Sequence, residues 1–157
     1  MKKFTNIFVS LFYAGYFKKW PGTFASIISI LILFTINELN ILTKEIFIFF
    51  FIFIFILSLF FIKKFSVYTK SHDSGIIVVD EFLGIYLIFI FYDQVYYINS
   101  YITVLLIFIL FRFFDISKIF PASYFDKQLL NGYGVILDDI IAGIYTVLTI
   151  IIINAFI

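Results

Sequence analysis

Residues 46–62 read IFIFFFIFIFILSLFFI, an apolar run in which only Ser58 is polar. A helix needs about 20 predominantly apolar residues to cross a bilayer, and this run approaches that length without a charge. Ile and Phe also favour strands. Transmembrane strands, however, alternate apolar and polar residues, and this run does not. The stretch therefore predicts a membrane-spanning helix, and an all-α fold for the chain.

The composition of the whole chain supports a membrane protein. Of its 157 residues, 64% are hydrophobic and 13% are charged, against about 45–50% and about 25% in ordinary soluble domains. We predict a single domain over 1–157. A net charge of +1 gives no indication of a nucleic-acid partner, and the absence of cysteine excludes disulfides, thiolate metal sites and a Cys nucleophile.

Further apolar runs flank the first one along the chain. Two are of near-spanning length and two are shorter, which predicts four or five membrane helices in all. The shorter runs would form the first and the third of these helices. These runs cover residues 96–111, 140–157, 23–36 and 82–92.

The N-terminal stretch MKKFTNIFVSLFYAGYF has the charge pattern of a signal peptide, two lysines followed by apolar residues. It lacks an A-x-A-like cleavage site, and Lys18 and Lys19 follow at once. We predict a retained helix that is interfacial or buried.

The basic residues orient the predicted helices. If the N-terminus is cytoplasmic and five helices cross in turn, only Lys44 lies outside, which satisfies the positive-inside rule. The bases then inside are Lys2, Lys3, Lys18, Lys19, Lys63, Lys64, Lys70, Arg112, Lys118 and Lys127. The same topology gathers six carboxylates at the cytoplasmic face: Asp80, Glu81, Asp115, Asp126, Asp138 and Asp139.

Two acidic pairs stand at the edges of apolar runs in a near-repeat, VVDEFLGIY at 78–86 and LDDIIAGIY at 137–145. They predict either acidic caps at two helix N-termini or carboxylates gathered around a divalent cation, for which oxygen ligands suit Mg²⁺. Gly84 and Gly143 predict close helix packing that would bring the pairs together.

The stretch FRFFDISKIFPASYFDK, residues 111–127, places Arg112, Asp115 and Lys118 three residues apart on one helical face, and Pro121 is expected to end the helix. The spacing fits a surface ion-pair row. It equally fits Asp115 as a metal ligand or general base, with the two cations holding phosphate.

Two glycine-containing stretches are weaker signals. KKWPGTFAS at 18–26 fits a membrane-interface anchor or a headgroup contact through Lys and hydroxyl groups. NGYG at 131–134 predicts a turn, either a plain loop or a phosphate contact through its N–H groups. The single histidine, His72, provides no Ser-His-Asp triad and no two-histidine phosphatase site.

Four stretches in this order resemble the phosphatidylglycerophosphatase A family of bacterial lipid phosphatases. PGTFAS resembles its P-G-T-x-G-S, and HDSGIIVVDEFLG its H-D-x-G-x-I-V-x-D-E-x-x-G. FRFFDISKIFPASYFDK resembles its F-R-x-x-D-x-W-K-P-W-P-x-R-x-x-D-R, and NGYGVILDDIIAG its G-G-x-G-I-M-x-D-D-x-x-A-G. The resemblance runs from about Trp20 to Tyr145.

The resemblance implies Mg²⁺-dependent hydrolysis of the terminal phosphomonoester of phosphatidylglycerol phosphate. It implies a multi-pass protein of the bacterial inner membrane with its site facing the cytoplasm. The expected metal ligands are Asp80, Glu81, Asp138 and Asp139, and the expected catalytic residues are Asp80, Asp115 and Asp139. The expected substrate contacts are Thr23, Ser26, Arg112, Lys118, Asp126, Lys127 and Gly132.

The chain departs from the family pattern at some positions while keeping every carboxylate of these motifs. The replacements are Ala25, Ser117, Ile119, Phe120, Ser123 and Asn131. Ser117 and Ser123 leave an inactive relative as one alternative. A headgroup transferase is another, although its D-G-x-x-A-R signature is absent. A small ion transporter is the non-enzymatic alternative, and it predicts acids spread through the membrane depth.

Overall fold

The computed structural model describes residues 2–70, 74–129 and 132–156, and all of their side chains except those of 126–128. Every regular element in these ranges is a helix, which confirms the all-α prediction. A 3₁₀ turn at Ala14–Tyr16 follows the first of them. The α-helices are α1 (Lys2–Val9), α2 (Pro21–Glu38), α3 (Lys44–Thr69), α4 (Val79–Ile90), α5 (Tyr92–Val95), α6 (Ser100–Ser117), α7 (Ala122–Gln128) and α8 (Gly132–Ala155).

Four helices, α2, α3, α6 and α8, are long and apolar enough to cross a membrane. The prediction of four or five membrane helices is confirmed. The 12 residues of α4 extend only about 18 Å, against a hydrocarbon core of about 30 Å. Other helices surround α4, and Leu83, Ile85 and Ile88 on it are fully buried.

A close helix contact in the core joins α4 to α8 through two glycines. A Cβ atom added to Gly143 would lie 2.5 Å from the carbonyl oxygen of Gly84. One added to Gly84 would lie 2.6 Å from the carbonyl oxygen of Asp139. The two backbones therefore touch, which confirms that the glycines of the near-repeat permit close helix approach.

The start of α8 differs from the prediction. The helix begins at Gly132 rather than at residue 140, and the predicted turn is wrong for residues 132–134, which are helical. A Cβ atom on Gly134 would lie 2.8 Å from the carbonyl oxygen of Phe125, so this glycine serves the packing of α7 on α8. The second acidic pair consequently lies almost two turns inside α8 and not before it.

The ends of the helices surround two cavities. The beginnings of α2 and α4, the end of α6 and the first turns of α8 surround one cavity. The end of α2, the beginning of α3 and the end of α4 surround a smaller one. Successive long helices therefore run in opposite directions, as the predicted topology requires.

The N-terminal segment forms the predicted helix, α1, and packs on α3. The rings of Phe8 and Phe61 lie 4.7 Å apart between centroids. The carbonyl oxygen of Val9 accepts a hydrogen bond of 2.9 Å from the backbone N–H of Val78, directly before α4. The segment thus holds the chain that leads into the first acidic pair.

Candidate active site

A cavity of about 580 Å³ lies where the ends of α2, α4, α6 and α8 meet. Most of the residues predicted for the site line it, although they are far apart in sequence. Its polar lining residues include Thr23, Asp80, Glu81, Arg112, Asp115, Lys118, Asp138 and Asp139. Carboxylates outnumber cationic side chains in this lining by five to two.

The first acidic pair occupies the first turn of α4. The Oδ1 atom of Asp80 accepts a hydrogen bond of 3.2 Å from the backbone N–H of Glu81, so this carboxylate uses one donor of the helix N-terminus. The Oε2 atom of Glu81 is buried without a hydrogen-bond partner among the described residues. Helix capping therefore leaves this oxygen atom of Glu81 unexplained.

The two carboxylates of the second acidic pair have different neighbours. The Oδ2 atom of Asp138 lies 3.0 Å from the Nζ atom of Lys118, which forms an ion pair at the cavity wall. Asp139 is buried on the side of α8 that faces α4. One carboxylate oxygen from each of Asp80, Glu81 and Asp139 lies within 4.8 Å of the other two. We call these three residues the acidic cluster.

The acidic cluster has the geometry and chemistry of a metal site. Burial raises the pKa of the Asp80 carboxyl to about 6. Burial and then the negative charge of Asp80 raise the pKa of Glu81 well above its ordinary value. Both shifts follow because ionised carboxylates lose water and repel one another here. A cation held by the three side chains would remove that penalty and give the Oε2 atom of Glu81 a partner. The cluster is therefore able to bind a metal ion.

Arg112 and Asp115 form an ion pair in the cavity wall, through Nη1 and Oδ2. Their side chains are only 17% and 15% exposed, so the pair is not part of a surface row. The Nε atom of Arg112 is buried without a hydrogen-bond partner among the described residues. Lys118 adopts a left-handed conformation that ends α6, so the predicted helix stop at Pro121 comes three residues too late.

The beginning of α2 completes the cavity. Trp20, Pro21, Gly22 and Thr23 line it, with Trp20 in a left-handed conformation at the cap and Pro21 at the first helical position. A Cβ atom on Gly22 would collide with the Oε1 atom of Glu81 and lie 3.3 Å from Nη1 of Arg112. The backbone at the beginning of α2 therefore lies against both Glu81 and Arg112.

Several predicted contacts lie elsewhere. Ser26 is buried, donates its hydroxyl to the carbonyl oxygen of Gly22 at 2.8 Å, and does not line the cavity. Gly132 begins α8 and packs near Ile62 on α3. Asp126 and Lys127 belong to α7, but their side chains lie outside the described part of the structure, as does His72.

Eight lining residues lie outside the predicted set: Trp20, Pro21, Gly22, Gly75, Ile77, Ile116, Leu129 and Val135. Of these, Trp20 and Gly22 belong to the stretch 18–26, for which the sequence predicts only an interface anchor or a headgroup contact through Lys and hydroxyl groups. The Pro-Gly-Thr sequence that begins α2 was the available signal, because proline at the first helical position leaves the following N–H groups free for a ligand.

The chain matches the family model described as Phosphatidylglycerophosphatase A over residues 7–154. The chain belongs to the phosphatidylglycerophosphatase A family. The match includes all four motifs on which the resemblance rested, so that prediction is confirmed. It also includes every residue of the acidic cluster.

Two relatives carry the family's name. Phosphatidylglycerophosphatase A of Haemophilus influenzae is 35% identical over 139 residues, which cover 88% of this chain and 82% of that protein. Phosphatidylglycerophosphatase A of Escherichia coli K12 is 36% identical over 73 residues, covering 46% of this chain and 40% of that protein. No solved structure matches the fold significantly.

Proposed function

We propose that this chain hydrolyses the terminal phosphomonoester of phosphatidylglycerol phosphate to phosphatidylglycerol and phosphate, and that it requires Mg²⁺. The observation that carries this proposal is the acidic cluster opposite Arg112, in a cavity that also holds Lys118 and the beginning of α2. The names of the family and of its relatives support the substrate.

The acidic cluster is the proposed metal site. Asp80, Glu81 and Asp139 offer only carboxylate oxygens, the ligand type that Mg²⁺ prefers. When bound, the cation would offset the charge of the phosphate and lower the pKa of a water molecule. Asp138, expected as a fourth ligand, is proposed instead to hold Lys118 in place through their 3.0 Å ion pair.

The phosphate is proposed to lie between the acidic cluster and three sources of positive potential. Arg112 offers a planar set of donors that matches phosphate oxygens. Lys118 adds a second cation, and the first turn of α2 adds the N–H groups of Gly22 and Thr23, on which the helix dipole acts. The contact of Gly22 with Glu81 supports this placement, because it puts the first turn of α2 beside the acidic cluster.

Asp115 is the proposed general base. Its Oδ2 atom bonds to Arg112, which orients the carboxylate toward the cavity and leaves Oδ1 available for a proton. Arg112 would then have two tasks, to hold the phosphoryl oxygens and to fix the base beside them. Transfer of a proton from water to Asp115 would generate the nucleophile within reach of the phosphorus.

The proposed location is the bacterial inner membrane, with the cavity facing the cytoplasm. Ten basic residues belong to the cavity side of the predicted topology and only Lys44 to the other. The transporter alternative is less favoured, because the acidic cluster, Asp115 and Asp138 all line one cavity at one end of the helices.

Phosphate release from phosphatidylglycerol phosphate in detergent micelles tests this function. Asp80→Ala and Asp139→Ala are each expected to abolish release, because each removes a proposed metal ligand. Asp93→Asn, at the opposite end of the helices, is the matched control and should retain wild-type turnover. Near-normal turnover in either alanine variant would overturn the assignment.

A further inference from the structure

Two large apolar side chains line the polar cavity and are also strongly exposed. Trp20, at the cap of α2, is 77% exposed, and Ile116, near the end of α6, is 71% exposed. Exposed apolar surface beside a polar cavity commonly marks contact with a membrane or a ligand. The cavity is thus bordered by apolar surface on the side where α2 and α6 meet.

Further exposed apolar side chains follow Ile116 in the chain, and together with Trp20 and Ile116 we call them the apolar rim. Ile119 and Phe120 follow the end of α6, and Phe120 is 73% exposed. The carbonyl oxygen of Phe120 accepts a hydrogen bond of 2.6 Å from the hydroxyl of Tyr145 on α8, so this rim is held in place. Tryptophan and tyrosine side chains favour the membrane–water interface. The apolar rim therefore suits the level at which lipid headgroups join their acyl chains.

The cavity has room for a headgroup but not for a whole lipid. The hydrocarbon of one leaflet is about 15 Å thick, half of the bilayer core, and each acyl chain extends through it. The cavity of about 580 Å³ is already lined by charged groups at its inner end. Acyl chains placed inside would take water away from those charged groups at a high cost in free energy, so we place the chains outside the cavity.

We propose that the lipid substrate reaches the cavity sideways from the membrane, between the start of α2 and the end of α6, with its glycerol backbone between Trp20 and Ile116. This inference rests on the proposed function and names the path that the substrate takes. Ile116 lies one helical turn after Arg112 on α6, so one face of the helix carries both the proposed phosphate contact and the lipid contact. The headgroup would turn inward to Arg112 while the acyl chains follow the outer surfaces of α2 and α6.

Blocking the opening should affect long-chain substrate selectively. Ile116→Trp puts a larger side chain at one side of the opening and so narrows it. The position is exposed, so the larger ring fits without disturbing the core. We compare kcat/KM for dioleoyl phosphatidylglycerol phosphate in vesicles with that for the soluble dihexanoyl form. The ratio of long-chain to short-chain kcat/KM is expected to fall about tenfold, which corresponds to about 1.4 kcal/mol.

The matched control is Ile56→Trp, the same change at a lipid-facing position on α3, which does not line the cavity. Its ratio should equal that of the wild type. An unchanged ratio in Ile116→Trp, or an equal fall in Ile56→Trp, would overturn the lateral path. A wild-type protein that releases phosphate from neither substrate would instead overturn the proposed function, and the path with it.

Fluorescence gives a second measurement that does not depend on turnover. Trp20 is the only tryptophan of the chain, so its emission reports on the opening alone. In Asp115→Asn protein, phosphatidylglycerol phosphate with brominated acyl chains should quench Trp20 more strongly than brominated phosphatidylcholine at the same mole fraction. Equal quenching by the two lipids would mean that the substrate does not collect beside Trp20, and would overturn the proposal.

Discussion

Gly143→Ala tests how the contact between α4 and α8 builds the site. The added Cβ atom would lie 2.5 Å from the carbonyl oxygen of Gly84, whereas ordinary contacts begin at 3.4 Å. The two helices must therefore separate by close to 0.9 Å along that line, the difference between these distances. The obstructing atoms belong to the backbone of α4 and cannot rotate away.

The expected cost in stability follows from two opposing effects. Overpacking costs about 1–3 kcal/mol, and rigid backbone neighbours favour the upper part of that range. Replacing glycine by alanine inside a helix increases the free energy of unfolding by about 1 kcal/mol, because alanine has the higher helix propensity. The net loss should be about 2 kcal/mol, which lowers the Tm by roughly 4–8 °C for a chain of this size.

The expected cost in activity is larger. Asp139 lies one turn before Gly143, and its carbonyl oxygen is the closest neighbour of a Cβ atom on Gly84. Separating the helices therefore moves Asp139 away from Asp80 and Glu81. A displacement near 1 Å at a catalytic group costs about 10²-fold in rate, so we expect kcat for phosphate release to fall by about that factor.

Thermal unfolding in detergent and phosphate release measure the two effects on the same sample. Gly75→Ala is the control for stability, since a Cβ atom there has no neighbour within 4 Å among the described residues. The reasoning would be refuted by a Gly143→Ala protein whose Tm equals that of Gly75→Ala and whose kcat equals that of the wild type.

Three further changes have defined expectations. Because burial raises the pKa of Asp80 to about 6 from an ordinary 3.8, its ionisation destabilises the cation-free fold above pH 6, and this penalty disappears as the pH falls toward 3.8. Asp80→Asn should therefore increase the free energy of unfolding of cation-free protein at pH 7 by on the order of 3 kcal/mol, and should have little effect at pH 4. The measurement is the Tm at the two pH values, and an equal rise in Tm at both would contradict this. Arg112→Gln should lower kcat/KM by about 10²–10³-fold, because it removes the phosphate contact and releases Asp115; steady-state kinetics showing a loss below threefold would exclude that role. Lys118→Gly keeps the left-handed end of α6 while removing the ammonium group, and should raise KM for the lipid without changing the helix content measured by circular dichroism; an unchanged KM would remove Lys118 from the substrate contacts.

The sequence was sufficient where a property depends on local pattern. The apolar run at 46–62 predicted α3, and the near-repeat predicted the glycine contact between α4 and α8. The beginning of α8 was missed because Gly132 and Gly134 are typical of turns, whereas the close approach of α7 at Gly134 makes glycine favourable within the helix there. Local propensity carries no information about a neighbouring helix that arrives from elsewhere in the chain.

The candidate site, like the fold, was predictable from the sequence only in part. Five of the six carboxylates that the sequence places at one membrane face line the cavity, and the side chain of the sixth, Asp126, lies outside the described part of the structure. Asp138 and Asp139 are consecutive on α8 and so point about 100° apart. Which of them faces the cluster was not predictable, because Lys118, the partner of Asp138, reaches α8 from the end of another helix. Ser26 illustrates the opposite error: one turn of helix after Gly22, it satisfies its hydroxyl within α2 and does not reach the cavity. Only the arrangement of helices in space separates such residues from those that line the site.

The most direct test of the account is the cation dependence of phosphate release from phosphatidylglycerol phosphate. Protein treated with excess chelator should release no phosphate, and added Mg²⁺ should restore wild-type turnover. Asp139→Asn should remain inactive under both conditions, because the acidic cluster has lost a ligand. Undiminished release in excess chelator, or full restoration of Asp139→Asn by Mg²⁺, would contradict the central claim that these three carboxylates form a catalytic metal site.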